Sequence, residues 1–378
     1  EAPTPAIQYG VPRLNARSGV IITASHNPPQ FNGVKVLSSD GSEIDRETES
    51  TIEMPDAHKT WSRAPWNSMG HLTHSNVIQP YVKEAYKRAD VDAIQSKQLT
   101  AVIDGGNGVG ALALPQLLRR VGCRLVTLNA QLDGTFPGRN SEPTKENVGD
   151  LMRTVSAIGA DVGIALDGDG DRAIFVDDQG EYVNGDVTLA LIARHMLRKR
   201  AGVVVTPVST SSVVEDVVVG QCGGRIELTR IGPQNMAAAL RRTGGLLAGE
   251  ENGGVLFPPR YFRDAGMAAV TVLAIIARDG ALSDMVAQLP PYSLYKTKTE
   301  CPEEAKASVL RGYIERAKGL GKLITIDGAK LYLKEGWVLV RPSGTEPIIR
   351  VFAEGPTPKR AQEVAEEHRH IVEEIASQ

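Results

Sequence analysis

The sequence predicts an α/β fold with largely parallel or mixed sheets, followed by a C-terminal α+β domain. Short apolar, β-branched runs alternate with amphipathic stretches, the pattern of successive βα units. The runs are apolar throughout, as strands covered by helices on both faces are. Thirty-eight glycines against only 5% aromatic residues fit many tight loops between strands of small residues.

In chain order, strands are expected at 20–23, 100–103, 124–128, 162–165, 173–176 and 203–206. Helices are expected between them at 110–121, 147–158, 187–198, 211–219 and 234–242. Gly106-Asn107-Gly108 and the loop 167–171 follow strands directly, where open α/β sheets place their ligand loops. Beyond Pro290-Pro291, the clearest hinge, the pattern changes. Charged amphipathic helices at 303–318 and 358–375 enclose strands near 323–326, 329–333, 337–340 and 348–353, which suggests a separate antiparallel α+β domain. Softer boundaries fall near 80–91 and 180–186. The least regular stretch is 54–74, with Trp61, Pro65, Trp66 and three histidines nearby, and it yields no functional reading.

A chain of 378 residues has room for about two to three compact domains, more if each is small. Hydrophobic residues at 42% and charged residues at 23% are ordinary globular composition and exclude wholesale disorder. No apolar run approaches the ~20 residues of a membrane span, and residues 1–10 lack a secretory pattern. A net charge of −3 indicates no basic face for nucleic acid. Cys123, Cys222 and Cys301 are odd in number and far apart, which disfavours a disulfide scaffold or a cysteine-rich zinc site and suits a reducing cytoplasm.

Four loops carry chemistry. In Thr23-Ala-Ser-His-Asn-Pro28 a serine is displayed at a strand end, a place where serines also serve as caps and turn residues. The segment lacks a G-x-S-x-G elbow, so an α/β-hydrolase nucleophile is disfavoured. Asp167-Gly-Asp-Gly-Asp-Arg172 packs three carboxylates between two apolar strands, an arrangement that calls for a cation among them. Hard oxygen ligands suit Mg²⁺ or Ca²⁺ rather than zinc. An EF-hand is rejected, because its twelfth position would be Asp178 rather than Glu and the flanks read as strands. Leu247-Ala-Gly-Glu-Glu-Asn-Gly-Gly254 offers acceptors and an amide to a polyol, or is a surface turn. Arg341-Pro-Ser-Gly-Thr-Glu-Pro347, followed by Arg350, has the guanidinium groups, hydroxyls and glycine of an anion cradle. Pro342 and Pro347 would stiffen it.

A hydroxyl nucleophile, a metal cage, a polyol reader and a phosphate clamp together describe phosphoryl transfer on a sugar phosphate. With these four motifs in this order, the chain resembles the α-D-phosphohexomutase superfamily, in a form closer to archaeal-type relatives. The resemblance implies three similar α/β domains with mixed, mostly parallel sheets and a C-terminal α+β domain. The expected divisions are 1–88, 89–182, 183–292 and 293–378. It implies that Ser25 carries the phosphoryl group and that Asp167, Asp169 and Asp171 hold one Mg²⁺, with a phosphate oxygen on Ser25 as a further ligand. Lys35, in the matching segment Asn32-Gly-Val-Lys35, ranks above His26 as acid/base, and Arg172 neutralises charge. Glu250 and Asn252 resemble the readers of sugar hydroxyls. Arg341, Ser343, Gly344 and Thr345 resemble the clamp for the phosphate that is not reacting, and Arg350 adds a guanidinium to it. A clamp that accepts either end of the sugar suits a last domain hinged near Pro290-Pro291.

The implied reaction interconverts hexose or hexosamine 6-phosphate and 1-phosphate through a hexose 1,6-bisphosphate. Glucosamine, mannose and glucose phosphates are the substrate class, with neither nucleic acid nor membrane as partner. Two departures stand out. The family's Gly-x-Arg-Gly segment has no counterpart before Ser25, so the first domain reads as truncated, and Pro233 stands where relatives carry a polar residue. The alternatives are a sugar-phosphate-binding protein without catalysis and a Mg²⁺-dependent phosphatase using the same serine.

Overall fold

The computed structural model describes residues 1–58, 63–344 and 346–377. The chain divides into two compact units, Glu1–Thr188 with Asn252–Met285, and Leu189–Glu251 with Val286–Gln378.

The first unit opens with α1 (Thr4–Arg13), a helix that its prolines and glycine conceal from the sequence pattern. Pro5 stands in the first turn, where a missing N–H leaves no bond unmade, and Pro12 is next to last. Strands β1 (Gly19–Ile22) and β2 (Val34–Leu37) then pair antiparallel, with Ile21 opposite Lys35. Ile21 and Leu37 pack on Val11 of α1, while Val20, Ile22 and Val34 are exposed. The apolar run at 20–23 is thus a ribbon covered on one face only, not a strand buried on both. Helices α2 (Arg46–His58), α3 (Ile78–Arg88) and α4 (Val91–Lys97) follow. The irregular stretch 54–74 is therefore helical to His58 and holds a short 3-10 turn at Trp66–Ser68, whereas Trp61 lies outside the described residues.

Next come β3 (Thr100–Asp104), α5 (Leu114–Arg120), β4 (Arg124–Leu128), α6 (Gly149–Ile158), β5 (Val162–Leu166), β6 (Ala173–Val176) and β7 (Tyr182–Val183). The five strands form one mixed sheet in the order β4-β3-β5-β6-β7. β4, β3 and β5 run parallel, and β6 and β7 turn back antiparallel. β5 and β6 are buried along their whole length, whereas β4, at the edge, is partly exposed. The helix expected at 110–121 is split into a 3-10 turn, Val109–Leu112, and α5, because Pro115 fits only the first turn of a helix. Leu166 pairs with Ala173, so the aspartate-rich loop is the connection of an antiparallel β5–β6 pair.

Helix α7 (Gly185–Lys199) leads into the second unit, where β8 (Val203–Pro207) lies between β9 (Arg225–Thr229) and β10 (Leu247–Gly249), all parallel. The helix expected at 211–219 is α-helical only over α8 (Ser212–Glu215) and continues as wider π turns over Asp216–Gln221. After α9 (Pro233–Thr243) and β10, the chain returns to the first unit with β11 (Val255–Leu256) and α10 (Ala265–Asp279). α10 is apolar on nearly every side and packs against α3, α4 and α5. Its cap is Asp264, which accepts the Met267 N–H at 3.0 Å and the Tyr81 hydroxyl.

Helix α11 (Leu282–Ala287) precedes the last part of the second unit: β12 (Ser293–Glu300), α12 (Lys306–Ala317), β13 (Leu323–Ile324), β14 (Ala329–Leu333), β15 (Gly336–Pro342), β16 (Ile348–Gly355) and α13 (Pro358–Ala376). Its sheet is antiparallel throughout, in the order β12-β16-β15-β14-β13. The helices bury Val309, Tyr313, Val364 and Val372 against Val338, Val340, Ile349 and Val351. On the other face Trp337 and Leu339 pack with Val208, just after β8. β12 adds a strand that sequence periodicity misses, since Lys, Thr and Glu alternate along an edge exposed on one side.

Candidate active site

The site is built where two strand connections of the first unit meet. Ser25 follows β1 in the left-handed region, at φ 55°. Its N–H donates to Thr23 Oγ1 at 2.9 Å, which shapes the turn, and Ser141 Oγ donates to the His26 and Asn27 carbonyls. The opposing aspartate loop comes very close. A Cβ on Gly168 would lie 2.5 Å from the Ser25 carbonyl oxygen, and Gly170 adopts φ 70° against the backbone of Gly110. Only glycine permits both approaches.

Asp167, Asp169 and Asp171 are buried, and their ligand atoms lie within 4.8 Å of one another. Asp167 Oδ1 accepts the N–H groups of Asp171 and Arg172, both at 3.1 Å. Asp169 Oδ2 accepts Lys35 Nζ at 2.7 Å and the Thr4 hydroxyl at 2.8 Å, while its Oδ1 faces the Ser25 hydroxyl at 3.2 Å. Asp171 Oδ2 takes Arg263 at 2.7 Å and Lys35 at 3.2 Å. Among the described residues, buried Asp167 Oδ2 and Asp171 Oδ1 have no hydrogen-bond partner, nor has Arg172 Nε, 3.6 and 3.7 Å away. Buried oxygens left bare on two neighbouring carboxylates fit a hard divalent cation, since such groups are otherwise strongly disfavoured.

Electrostatics agree with that fit. Burial, and then the carboxylates of Asp171 and Asp169, push the Asp167 carboxyl well above its ordinary range. Burial would raise Asp171 too, but the charges of Arg263, Lys35 and Arg172 hold it below that range. For Lys35 burial opposes the charged form, yet Asp171 and Asp169 outweigh it and raise the amine, so it is protonated at neutral pH. Burial and then Arg172 lower His26, leaving a neutral ring. Arg172 Nη2 stands 3.1 Å from His26 Nδ1 and can only donate, so Nδ1 accepts and the ring proton sits on Nε2.

The first unit therefore brings together Ser25, His26, Lys35, Asp167, Asp169, Asp171 and Arg172. Asn252 belongs to the same unit: its Oδ1 accepts the Gly254 N–H at 3.0 Å, and Gly253 O accepts the N–H of Ala173, next to Arg172. Sequence reasoning missed Thr4 and Arg263. Thr4 lies in a helix with no visible pattern. Arg263, buried just ahead of the apolar α10, is a charge whose partner is far away in the chain.

The remaining expected residues lie in the second unit, apart from Thr345, which is outside the described residues. Glu250 is buried just after β10. Arg341 and Arg350 stand directly opposite each other on β15 and β16, an arrangement of like charges that costs stability unless neutralised. Arg341 Nε donates to Asp327 at 2.9 Å and Arg350 pairs with Glu346, while buried Arg350 Nε has no hydrogen-bond partner among the described residues. Ser343 N–H donates to Ile348 O at 3.0 Å, and Ser343 Oγ accepts the Glu346 N–H at 3.3 Å, which closes the turn around exposed Gly344.

Comparison with known proteins covers the same segments. Residues 1–60, 79–180, 184–292 and 297–371 match, in turn, the family descriptions "Phosphoglucomutase/phosphomannomutase, alpha/beta/alpha domain" I, II and III and "C-terminal domain". A phosphoglucomutase/phosphomannomutase of Thermococcus kodakarensis is 42% identical over 99% of this chain and 82% of its own length. A probable phosphoglucosamine mutase of Pyrococcus abyssi is 38% identical over 99% of this chain and 82% of its own. The crystal structure of a phosphoglucomutase/phosphomannomutase family protein from Burkholderia thailandensis superposes with a TM-score of 0.87 at 26% identity, covering 99% of this chain and 81% of that one.

Proposed function

Because the chain belongs to the phosphoglucomutase/phosphomannomutase family and is accordingly a phosphohexomutase, an intramolecular phosphotransferase, we propose that it interconverts hexose or hexosamine 6-phosphate and 1-phosphate through a phosphoryl group on Ser25. In the first transfer the phosphoryl group leaves the Ser25 oxygen for a hydroxyl of the sugar monophosphate, giving a 1,6-bisphosphate. In the second, Ser25 attacks the other phosphate and takes it back. The observation that carries this reading is the Ser25 hydroxyl 3.2 Å from Asp169 Oδ1, in a triad with two bare oxygens.

Asp167, Asp169 and Asp171 would hold one Mg²⁺, which when bound neutralises charge on the phosphoryl oxygens. Lys35, held protonated, donates to the seryl oxygen as the phosphoryl group departs and recovers the proton when the serine attacks. The accepting sugar hydroxyl gives its proton to water in the first transfer, and the released sugar oxygen takes one from water in the second. Arg172 adds a fixed positive charge and holds the His26 ring in one tautomer. Glu250 and Asn252 read sugar hydroxyls, and Arg341, Ser343, Gly344, Thr345 and Arg350 hold the idle phosphate. The four-part division at 1–88, 89–182, 183–292 and 293–378 and a cytoplasmic setting complete the reading. Among the described residues no helix is long and apolar enough to cross a membrane.

Phosphorus NMR with glucose, mannose or glucosamine 6-phosphate and Mg²⁺ tests the proposal. A 1-phosphate resonance is expected with at least one sugar, and none after Ser25→Ala or with EDTA. Turnover that survives either treatment refutes the mechanism, and inorganic phosphate as the sole product indicates a phosphatase.

A further inference from the structure

We propose that Lys306 is a positioning residue for phosphate binding: it turns the Ser343–Gly344 peptide so that the Gly344 N–H faces the anion. The inference rests on the reading of 341–350 as the phosphate clamp. Lys306 begins α12 yet is buried, with only 4% of its surface exposed. A buried ammonium has three donors to satisfy, and all three are used. Its Nζ donates to Ser343 O at 2.7 Å, to Glu346 O at 2.7 Å and to the Glu303 carboxylate.

The two carbonyls flank Gly344 and are drawn to the same buried point. In a planar trans peptide the C=O and the following N–H point in opposite directions. With Ser343 O drawn inward, the Gly344 N–H is turned outward. Gly344 is exposed, and among the described residues a Cβ on it would meet no atom within 4 Å, so the turn leaves room for a ligand. Glu346 O precedes Pro347, which has no N–H, so the second contact anchors the loop without adding a donor. The result is one backbone donor presented beside two arginines on adjacent strands, plus the charge of Lys306 behind the loop.

The test is titration calorimetry with inorganic phosphate and glucose 6-phosphate on the full chain. Lys306→Met should weaken both by about tenfold, the scale of one hydrogen bond to a charged group, and raise KM with kcat nearly unchanged. Lys306→Arg, which keeps the charge and donors, should recover part of the loss. Arg341→Ala serves as the reference for the clamp. If Arg341→Ala weakens phosphate but Lys306→Met does not, the role of Lys306 is refuted while the clamp stands. If neither variant weakens it, the clamp reading itself fails. Should Lys306→Met not fold, the Gly344 amide signal of the wild-type chain decides: it should move downfield on phosphate addition, and an unmoved signal overturns the proposal.

Discussion

A methyl group at Gly168 is enough to disturb the serine, since a Cβ there would sit 2.5 Å from the Ser25 carbonyl oxygen. Gly168→Ala is expected to shift the Ser25 turn and lower kcat about a hundredfold, with a much smaller effect on the urea midpoint. Equal losses in both measurements would mean that the loop is structural only. Arg263 makes a second case. Arg263→Met removes a cation from a buried ion pair, so the metal-free protein should lose about 3 kcal/mol, and Mg²⁺ should restore more stability to the variant than to the wild type. Thermal melts with EDTA and with Mg²⁺ measure the difference. Neither Arg263 nor Thr4 was legible in the sequence. Their partners Asp171 and Asp169 are far along the chain, and no local pattern encodes such a distance. The aspartate loop was legible because closely spaced carboxylates between apolar strands need a cation wherever the chain runs.

Inside the apolar seam between α12 and α13, His368 Nδ1 meets the Tyr313 hydroxyl at 2.7 Å, while Arg316 and Glu374 pair at 2.8 Å on its exposed rim. Burial holds His368 below its ordinary value. A histidine lowered on folding stabilises the fold fully above its unfolded value, and this contribution shrinks as pH falls through about 6.5 towards the lowered value. The stability gap between wild type and His368→Gln should therefore narrow between pH 7.5 and pH 5.5. Urea midpoints of the full chain at the two pH values check it, and a constant gap would contradict it. Elements were legible to the degree that burial set their pattern. β5, β6 and β8 are apolar because both faces are covered, and they were read correctly. β12, whose alternation of Lys, Thr and Glu reflects an edge, was not, and α1 was hidden by prolines that its ends accommodate.

For the whole chain, the proposed function divides its two chemistries between separate units. Serine, lysine and carboxylates are in one, and the opposed arginines are in the other. Hydrogen exchange should separate them. Mg²⁺ alone is expected to protect 23–28 and 166–173, and inorganic phosphate alone to protect 341–350. Phosphate protecting only the first set would displace the clamp from its assigned loop. The mixed α/β plan and the antiparallel last sheet were foreseeable from periodicity, whereas the partition into two units was not, because it depends on which helices pack together.

Arg341 and Arg350 are already seated on Asp327 and Glu346. On the proposed clamp reading, an arriving anion would share or contest these guanidinium groups with two resident carboxylates, so its grip is weakened by their charge. A ligand that has to let go and rebind by its other end gains from such tempered holding. Neutralising Asp327 would tighten the hold and retard that exchange.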